Sequence, residues 1–307
     1  MNLLDHMFTF TRVAELSSFT QAADSLGLPK ASVSTAVQQL ENRLGVRLLH
    51  RTTRKVVLTQ DGQSFYERCK DALADMDELQ TMFLRQTPQA LKGRVRIDMS
   101  TVLARVAVLP RLPELLAMHP QLEFEISSTE RRVDVVREGF DCVVRAGKLT
   151  EPGLIAKPIG SVRMVNCASR QYLGLHGTPQ TLADLHQHRL VHFAPNLGAK
   201  SGGFEYVDDN DMDCAIAMQG HATVNNAEAY HAACLAGLGI IQVPVVGVRN
   251  QLAQGQLVEF LPQYQARPMP FSLVYANRRN VSTRVRVVMD WLSSVVVDYI
   301  ADPQTAD

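Results

Sequence analysis

The sequence lacks several features that would point to other classes of protein. Its 31 basic residues equal its 31 acidic residues, so the net charge is zero and any nucleic-acid surface must be local. No apolar run approaches the roughly 18 to 20 residues of a membrane span. The first residues also lack the cationic start of a signal peptide. We therefore expect a cytoplasmic protein without a membrane partner.

Neither the cysteines nor any motif of a common enzyme family indicates catalysis. The five cysteines are odd in number, widely spaced and free of any C-x-x-C pair, which disfavours a disulfide framework and a zinc site. We find no nucleophile elbow, phosphate loop, zinc-protease motif or dinucleotide fingerprint. The sequence therefore predicts no metal, no cofactor and no enzymatic activity.

What the sequence does contain is a series of short helices at its beginning. Residues 4–16 have helical apolar spacing, and Ser18 with Gln21 forms a capping-box pattern at the start of a second helix. Gly27 ends that helix, and Pro29 stands at the start of a third. The third helix has a narrow apolar stripe, Val33, Val37, Leu40 and Leu44. This order predicts a helix-turn-helix whose third helix enters the DNA major groove.

The outer face of the third helix is short and hydroxylic, and a solvated face would be richer in Glu and Lys. From this helix we expect DNA contacts by Lys30, Ala31, Ser32, Ser34, Thr35 and Gln38. The next stretch, VRLLHRTTRKVVLT, predicts a hairpin, or wing. From its tip we expect contacts by Arg51, Thr53, Arg54 and Lys55. Residues 1–59 contain seven basic and four acidic side chains, which supports a local nucleic-acid surface.

A long helix with heptad spacing follows from Thr59 to about Thr87. The residues of its apolar seam are Phe65, Cys69, Ala72, Met76, Leu79 and Phe83. A seam this narrow predicts pairing with a second copy of the helix. The alternative is an ordinary amphipathic helix that lies on its own domain.

Beyond a predicted hinge at 88–93 the pattern changes to strands that alternate with helices. Stretches such as RVRIDMS, LEFEIS, DCVVRA and FSLVYA favour strands, and VLPRLPELLAMHP, VDVVREGF and AYHAACLAGLG favour helices. This alternation predicts an α/β domain with a largely parallel sheet.

The stretch VAELSSFTQAADSLGLPKASVSTAVQQLENRLGVRLLHRTTRKVVLTQDG resembles the DNA-binding end of LysR-type transcriptional regulators, and VDVVREGFDCVVRAG and CLAGLGIIQVP resemble later parts of that family. The resemblance implies a winged helix-turn-helix at 1–58, a linker and dimerisation helix with a hinge at 59–92, and an effector domain at 93–307. The effector domain would contain two Rossmann-like subdomains related to periplasmic binding proteins, about 93–160 with 266–307 and about 161–265. Thr35 and Pro29 depart from the family pattern, so base preference is not transferable.

The resemblance also implies an effector site. Its residues by position are Ser100, Thr101, Thr129, Arg145, Asn225 and Asn226, with His192 and Phe193 as an opposite wall. Hydroxyls and free N–H groups at helix starts favour an anion, and an arginine adds positive charge, so we expect an anionic effector. The alternative is that the serine and the asparagines only cap helices.

Together these features predict a sequence-specific transcriptional regulator that binds a pseudo-palindromic promoter site on double-stranded DNA. A small molecule between the two subdomains would control it, and homodimers or homotetramers are implied. RNA polymerase is a further candidate partner. Two alternatives are a small-molecule binding protein whose first helices serve assembly and an architectural DNA binder without sequence specificity.

We expect Lys30→Ala and Arg54→Ala each to weaken DNA binding, because each removes a cation from the predicted groove-facing surface. A gel-shift titration at physiological salt measures the loss. Unchanged affinity in both variants would remove this surface as the DNA interface.

Overall fold

Helices and a short hairpin build the first unit of the structure, residues 1–94. The computed structural model describes residues 2–51, 56–81, 91–147, 153–199, 201–276 and 281–301. The helices of this unit are α1 (Leu3–Leu16), α2 (Phe19–Leu26), α3 (Lys30–Leu44) and α4 (Gln60–Thr81), and the hairpin strands are β1 (Leu49–Arg51) and β2 (Val56–Leu58). The strands pair antiparallel, as the sequence predicts.

The predicted ends of α2 and α3 are confirmed. The Ser18 hydroxyl accepts a hydrogen bond from the backbone N–H of Gln21, at 3.3 Å. Gly27 and Gly45 end the two helices with φ of 63° and 72°, a left-handed conformation that glycine adopts at little cost. Pro29 occupies the N-cap of α3, where its missing N–H leaves no bond unmade.

The core of this unit includes the first part of the predicted seam on α4. Cys69 is fully buried, and Phe65 packs against the same cluster, with its ring 5.7 Å from that of Phe10. The structure therefore corrects the dimer-seam prediction at Phe65 and Cys69, because their contacts are made within the chain's own unit.

The rest of the predicted seam is less buried or lies outside the described side chains. Ala72 and Met76 are half-buried. The side chain of Leu79 and the whole of Phe83 lie outside the described residues. The pairing of these four residues with a second copy remains a prediction.

The second unit, residues 95–307, is an α/β structure. Its strands are β3 (Lys92–Met99, which begins at the end of the first unit), β4 (Gln121–Ser128), β5 (Cys142–Ala146), β6 (Leu154–Val162), β7 (Met164–Ser169), β8 (His192–Phe193), β9 (Phe204–Val207), β10 (Asp213–Ile216), β11 (Thr223–Val224), β12 (Ile241–Pro244), β13 (Leu257–Glu259) and β14 (Met269–Ala276). Its helices are α5 (Thr101–Leu103), α6 (Leu109–Met118), α7 (Arg170–His176), α8 (Ala227–Leu235), α9 (Val245–Ala253) and α10 (Thr283–Ile300). A π-helical turn, Ala104–Val108, joins α5 to α6.

The larger sheet has the strand order β4-β3-β5-β14-β6, and a smaller one has the order β12-β7-β13. Strand β3 pairs parallel with β5, but β14 pairs antiparallel with both β5 and β6, and β7 pairs antiparallel with β12 and β13. The prediction of a largely parallel sheet is therefore wrong, because an alternation of strands and helices does not fix the direction of a strand that returns from a distant part of the chain.

The stretch VDVVREGF is a turn and not the predicted helix. The carboxylate of Asp134 accepts hydrogen bonds from the backbone N–H groups of Val136 and Arg137, at 3.1 and 2.9 Å. Glu138 binds Arg131 through both carboxylate oxygens. These local side-chain bonds satisfy the backbone without a helical ladder.

The start of the hairpin in the first unit is held by side chains of the helices around it. Glu41 Oε1 accepts hydrogen bonds from the backbone N–H groups of Leu48 and Leu49, at 2.9 and 3.2 Å. The Thr59 hydroxyl donates to the carbonyl of Arg47, at 2.7 Å, and accepts from the N–H of Gly62, at 2.8 Å. The hairpin is thus fixed to both α3 and α4.

We expect Gly62→Ala to destabilise the protein by about 1 to 3 kcal/mol, a typical cost of overpacking. A methyl group at position 62 would overlap the carbonyl of Leu48, although alanine normally stabilises a helix relative to glycine. Thermal unfolding of the full chain measures the effect. Gly174→Ala in α7, where a methyl group meets open space, is the control, and equal stability of the two variants would contradict the expectation.

Candidate functional site

The first half of α3 presents a row of polar side chains on the surface of the first unit. Lys30, Thr35 and Gln38 are exposed, as is Ala31. The opposite face is closed by the core, in which Val33 and Val37 are fully buried. Because one face is fixed and the other is free, α3 is suited to enter a groove and place its side chains against base edges.

The other predicted DNA contacts are two serines on α3 and the residues of the wing. Ser32 and Ser34 are half-buried and flank the exposed row. Arg51 ends β1, and its side chain lies outside the described residues, as do Thr53, Arg54 and Lys55 entirely. The wing contacts remain predictions.

A cavity of about 320 Å³ lies within the second unit. This volume is at the lower end of the range of small-molecule sites in proteins. Apolar side chains form much of its wall, among them Val102, Leu103, Met164, Val243 and Phe271. The polar side chains on its wall include Ser100, Glu130, Glu205, Tyr230, His231, Gln242 and Tyr299. An apolar wall with a few polar groups is the usual form of a ligand site.

Of the predicted effector residues, Ser100 and Phe193 line this cavity. The Ser100 hydroxyl also accepts a hydrogen bond from the N–H of Leu103, at 3.3 Å, so it caps a helix as the alternative interpretation holds. The ring of Phe193 lies 5.3 Å from that of Tyr230. These two predicted residues therefore lie at the candidate site.

The other predicted effector residues lie outside the described lining of the cavity. They are Thr101, Thr129, Arg145, His192, Asn225 and Asn226. Asn226 caps α8 by accepting a hydrogen bond from the N–H of Ala229, at 2.8 Å, and its side-chain amide donates to that of Asn225, at 3.4 Å. Capping thus accounts for Asn226, as the alternative interpretation proposes, and Asn225 accepts a hydrogen bond from Asn226.

Arg145 and Thr129 are engaged by a buried carboxylate. Asp98 on β3 is fully buried, and its Oδ2 lies 2.6 Å from Nη1 of Arg145. The Thr129 hydroxyl donates to Oδ1 of Asp98, at 3.2 Å. A buried carboxylate needs such partners, because removing a charge from water is costly. The structure therefore corrects the prediction that Arg145 and Thr129 are available to an effector.

Glu130 is one of the cavity residues that the sequence analysis missed. Its Oε1 atom is buried and has no hydrogen-bond partner within the described structure. Burial raises the pKa of Glu130, while hydrogen bonds from the backbone N–H groups of Ala227 and Thr101 and the charge of Arg145 oppose the shift. The available signal was an acidic residue directly after a strand, in SSTERR, where ligands of α/β folds commonly bind.

Gln242 is a second residue that was missed, although it is the one polar residue in the stretch IIQVP. Its Nε2 donates to Oδ1 of Asn166 and to the carbonyl of Glu205, each at 2.7 Å. Its Oε1 accepts from the N–H of Glu205, at 2.6 Å. These two hydrogen bonds between the Gln242 side chain and the backbone of Glu205 hold this part of the cavity wall in one arrangement.

Three further titratable side chains of the wall, those of His231, Tyr299 and Tyr230, are held in their neutral forms. Burial lowers the pKa of His231, with the charge of Arg105 acting in the same direction. Burial raises the pKa of Tyr299 to about 12 and also raises that of Tyr230. These three side chains offer hydrogen bonds and no charge near neutral pH.

The cysteines give no indication of a reactive thiol. Cys69, Cys142, Cys167 and Cys234 are buried. Burial raises the pKa of Cys69 to about 12 and raises that of Cys142. Thiols of this kind are poor nucleophiles because little thiolate is present.

Among the residues with described coordinates, no group of three or more His, Cys, Asp or Glu side chains could hold a metal ion. In the same part of the chain, no helix combines the length and apolar character needed to cross a bilayer.

A helix-turn-helix with an exposed polar third helix, in one chain with an α/β unit that contains a cavity, defines a DNA-binding regulator with a ligand-binding domain. Residues 4–63 match the bacterial regulatory helix-turn-helix protein of the lysR family. Residues 88–296 match the LysR substrate binding domain. The chain therefore belongs to the LysR family of transcriptional regulators, as its sequence motifs predict.

Individual relatives are similar to this protein along nearly the whole chain. It is 46% identical over 300 residues to the HTH-type transcriptional regulator YhjC of Escherichia coli, with 98% of this chain and 100% of the relative covered. The structure of CrgA, a LysR-type transcriptional regulator from Neisseria meningitidis, is similar with a TM-score of 0.59 and 28% identity, covering 94% of this chain and 97% of CrgA. The Vibrio cholerae virulence activator AphB gives a TM-score of 0.56 and 27% identity, covering 96% and 99%. The family and these relatives are regulators and not enzymes.

We expect Arg145→Ala to destabilise the protein by about 3 to 5 kcal/mol, because it leaves the carboxylate of Asp98 buried without its cation. Urea unfolding of the full chain measures the loss. Arg137→Ala is the matched control, since Arg137 is 89% exposed beside Asp134, and it should cost no more than about 0.5 kcal/mol. Equal losses in the two variants would show that the pair with Asp98 has no structural role.

Proposed function

We propose that this LysR-family regulator binds a pseudo-palindromic operator through α3 and that a small molecule in the cavity controls its activity. The observation that carries the proposal is the exposed polar row of α3, with Lys30, Thr35 and Gln38 on the face opposite the core. The family binds DNA and small-molecule effectors and forms oligomers. The proposal assigns these roles to particular residues.

The chemistry of the exposed row suits direct readout of bases. Lysine donates to guanine O6 and N7 or to phosphate, and glutamine pairs with adenine N6 and N7. Thr35, with Ser32 and Ser34 beside it, supplies hydroxyls for bases or phosphates. In the wing, Arg54 is the proposed side chain for the minor groove, where a narrow groove attracts cations.

Dimerisation follows from the need to read two half-sites. Two recognition helices bind half-sites about 34 Å apart, one turn of DNA. We propose that α4 joins two copies through Ala72, Met76, Leu79 and Phe83, since Phe65 and Cys69 serve the core of their own unit. Assembly into tetramers, a cytoplasmic location and contact with RNA polymerase belong to the same proposal.

The cavity is the proposed effector site. A small molecule regulates DNA binding only if it binds one arrangement of the protein more tightly than another, and such coupling is typically about 1 to 3 kcal/mol. The anionic effector expected from the sequence would use Ser100 and the N–H groups of Thr101 and Ala227. The backbone of Ala227 and Thr101 lowers the pKa of Glu130, so the carboxyl group of Glu130 would compete with an anion for those N–H groups.

Sequencing of genomic DNA fragments captured by the purified full-length protein tests the DNA-binding proposal. We expect a shared interrupted palindrome, and we expect a variant with both Thr35→Ala and Gln38→Ala to lose that preference while keeping weak binding to any DNA. A variant with Gln21→Ala on the exposed surface of α2 is the control. Fragments without a common motif would favour a binding protein whose first helices serve assembly.

A further inference from the structure

The wall of the cavity contains two acidic side chains. Glu130 and Glu205 both line it, and Gln242 beside them is engaged in bonds to Asn166 and Glu205. The lining residues that the structure describes include no Lys and no Arg side chain. Such a wall repels negative charge and attracts groups that donate hydrogen bonds.

Glu130 contains an acceptor atom that lacks a donor. Its Oε1 is buried without a hydrogen-bond partner in the described structure, although the side chain lines the cavity. A buried acceptor without a partner costs free energy, more so when the group is charged. A donor on a bound molecule would remove that cost.

The cation whose charge acts on Glu130 does not meet this need. Arg145 influences Glu130 through its charge, but its Nη1 lies 2.6 Å from Asp98 Oδ2 and its Nη2 donates to the carbonyl of Arg131, at 3.3 Å. Its guanidinium is therefore directed to the sheet. An occupant of the cavity, or a proton on Glu130 itself, would supply the donor that the described side chains do not give to Oε1.

We propose that Glu130 determines the specificity of the effector site and selects a small, largely apolar molecule that carries a hydrogen-bond donor or a positive charge. The inference rests on the proposed role of the cavity as the effector site, and it replaces the anionic effector expected from the sequence. The volume of about 320 Å³ and the apolar wall fit a molecule of about one ring. An amide or amidinium group on that ring would donate to Oε1.

Three probes with the same ring test the proposal, namely benzamidinium, benzamide and benzoate. Isothermal titration calorimetry on the full-length protein at pH 7.5 should rank benzamidinium and benzamide above benzoate by at least tenfold in affinity. Benzoate carries the same apolar ring, so its weaker binding reports the polar group alone. Benzoate binding as tightly as benzamide, or no binding by any of the probes, would overturn the proposal.

Glu130→Gln locates the preference in one residue. The substitution should lower the affinity for benzamidinium at least tenfold, because it removes the negative charge. It should also reduce the difference in affinity between benzamide and benzoate. Glu123→Gln, with an exposed side chain on strand β4, which ends two residues before Glu130, should leave the affinities for the three probes unchanged. Unchanged affinities for the three probes in Glu130→Gln would refute the assignment, and if that variant does not fold the ranking in the natural protein still decides.

Failure of this proposal can be separated from failure of the proposed function. A gel shift with captured genomic DNA, measured on the same preparation, tests DNA recognition without any probe. DNA binding together with tight benzoate binding would leave the regulator intact and refute the donor selectivity. The expected probe ranking without specific DNA binding would support the donor selectivity and refute the proposed DNA recognition.

Discussion

The buried carboxylate of Asp98 sets the chemistry of the second unit. It lies on a central strand with no exposure to solvent, and it requires Arg145 and Thr129 as partners from β5 and the end of β4. These partners are the cation and the hydroxyl that would otherwise be available to a ligand. The contacts with Asp98 therefore stabilise the sheet and also withhold these two side chains from a ligand, because one set of side chains cannot serve both.

A comparable division of roles governs α3 and α4 in the first unit. The buried face of α3 joins Phe10 and Cys69 in one core, which fixes the direction of its exposed row. Glu41 and Thr59 hold the start of the hairpin to the same helices. Since the recognition surface has no core of its own, its geometry depends on packing by residues on the far side of the helix.

The parts of this protein that could be predicted from sequence are those set by local patterns. Helix ends at Ser18, Gly27 and Gly45 depend on neighbouring residues and were found correctly. The direction of β14 depends on pairing with strands more than a hundred residues earlier. Local hydrophobic periodicity indicates a strand but does not indicate its direction in the sheet. Arg145 illustrates the same limit at the site, because its position in a motif does not reveal that a buried aspartate on another strand binds it.

The position of Glu130 gives the cavity a direct means of affecting the arrangement of the second unit. Thr101 and Ala227, whose backbone lowers the pKa of Glu130, begin α5 in one predicted subdomain and α8 in the other. A molecule that binds Glu130 changes the charge distribution at the point where both helices meet it. Because coupling requires different free energies in two arrangements, a contact shared by both predicted subdomains is better placed for it than any contact confined to one.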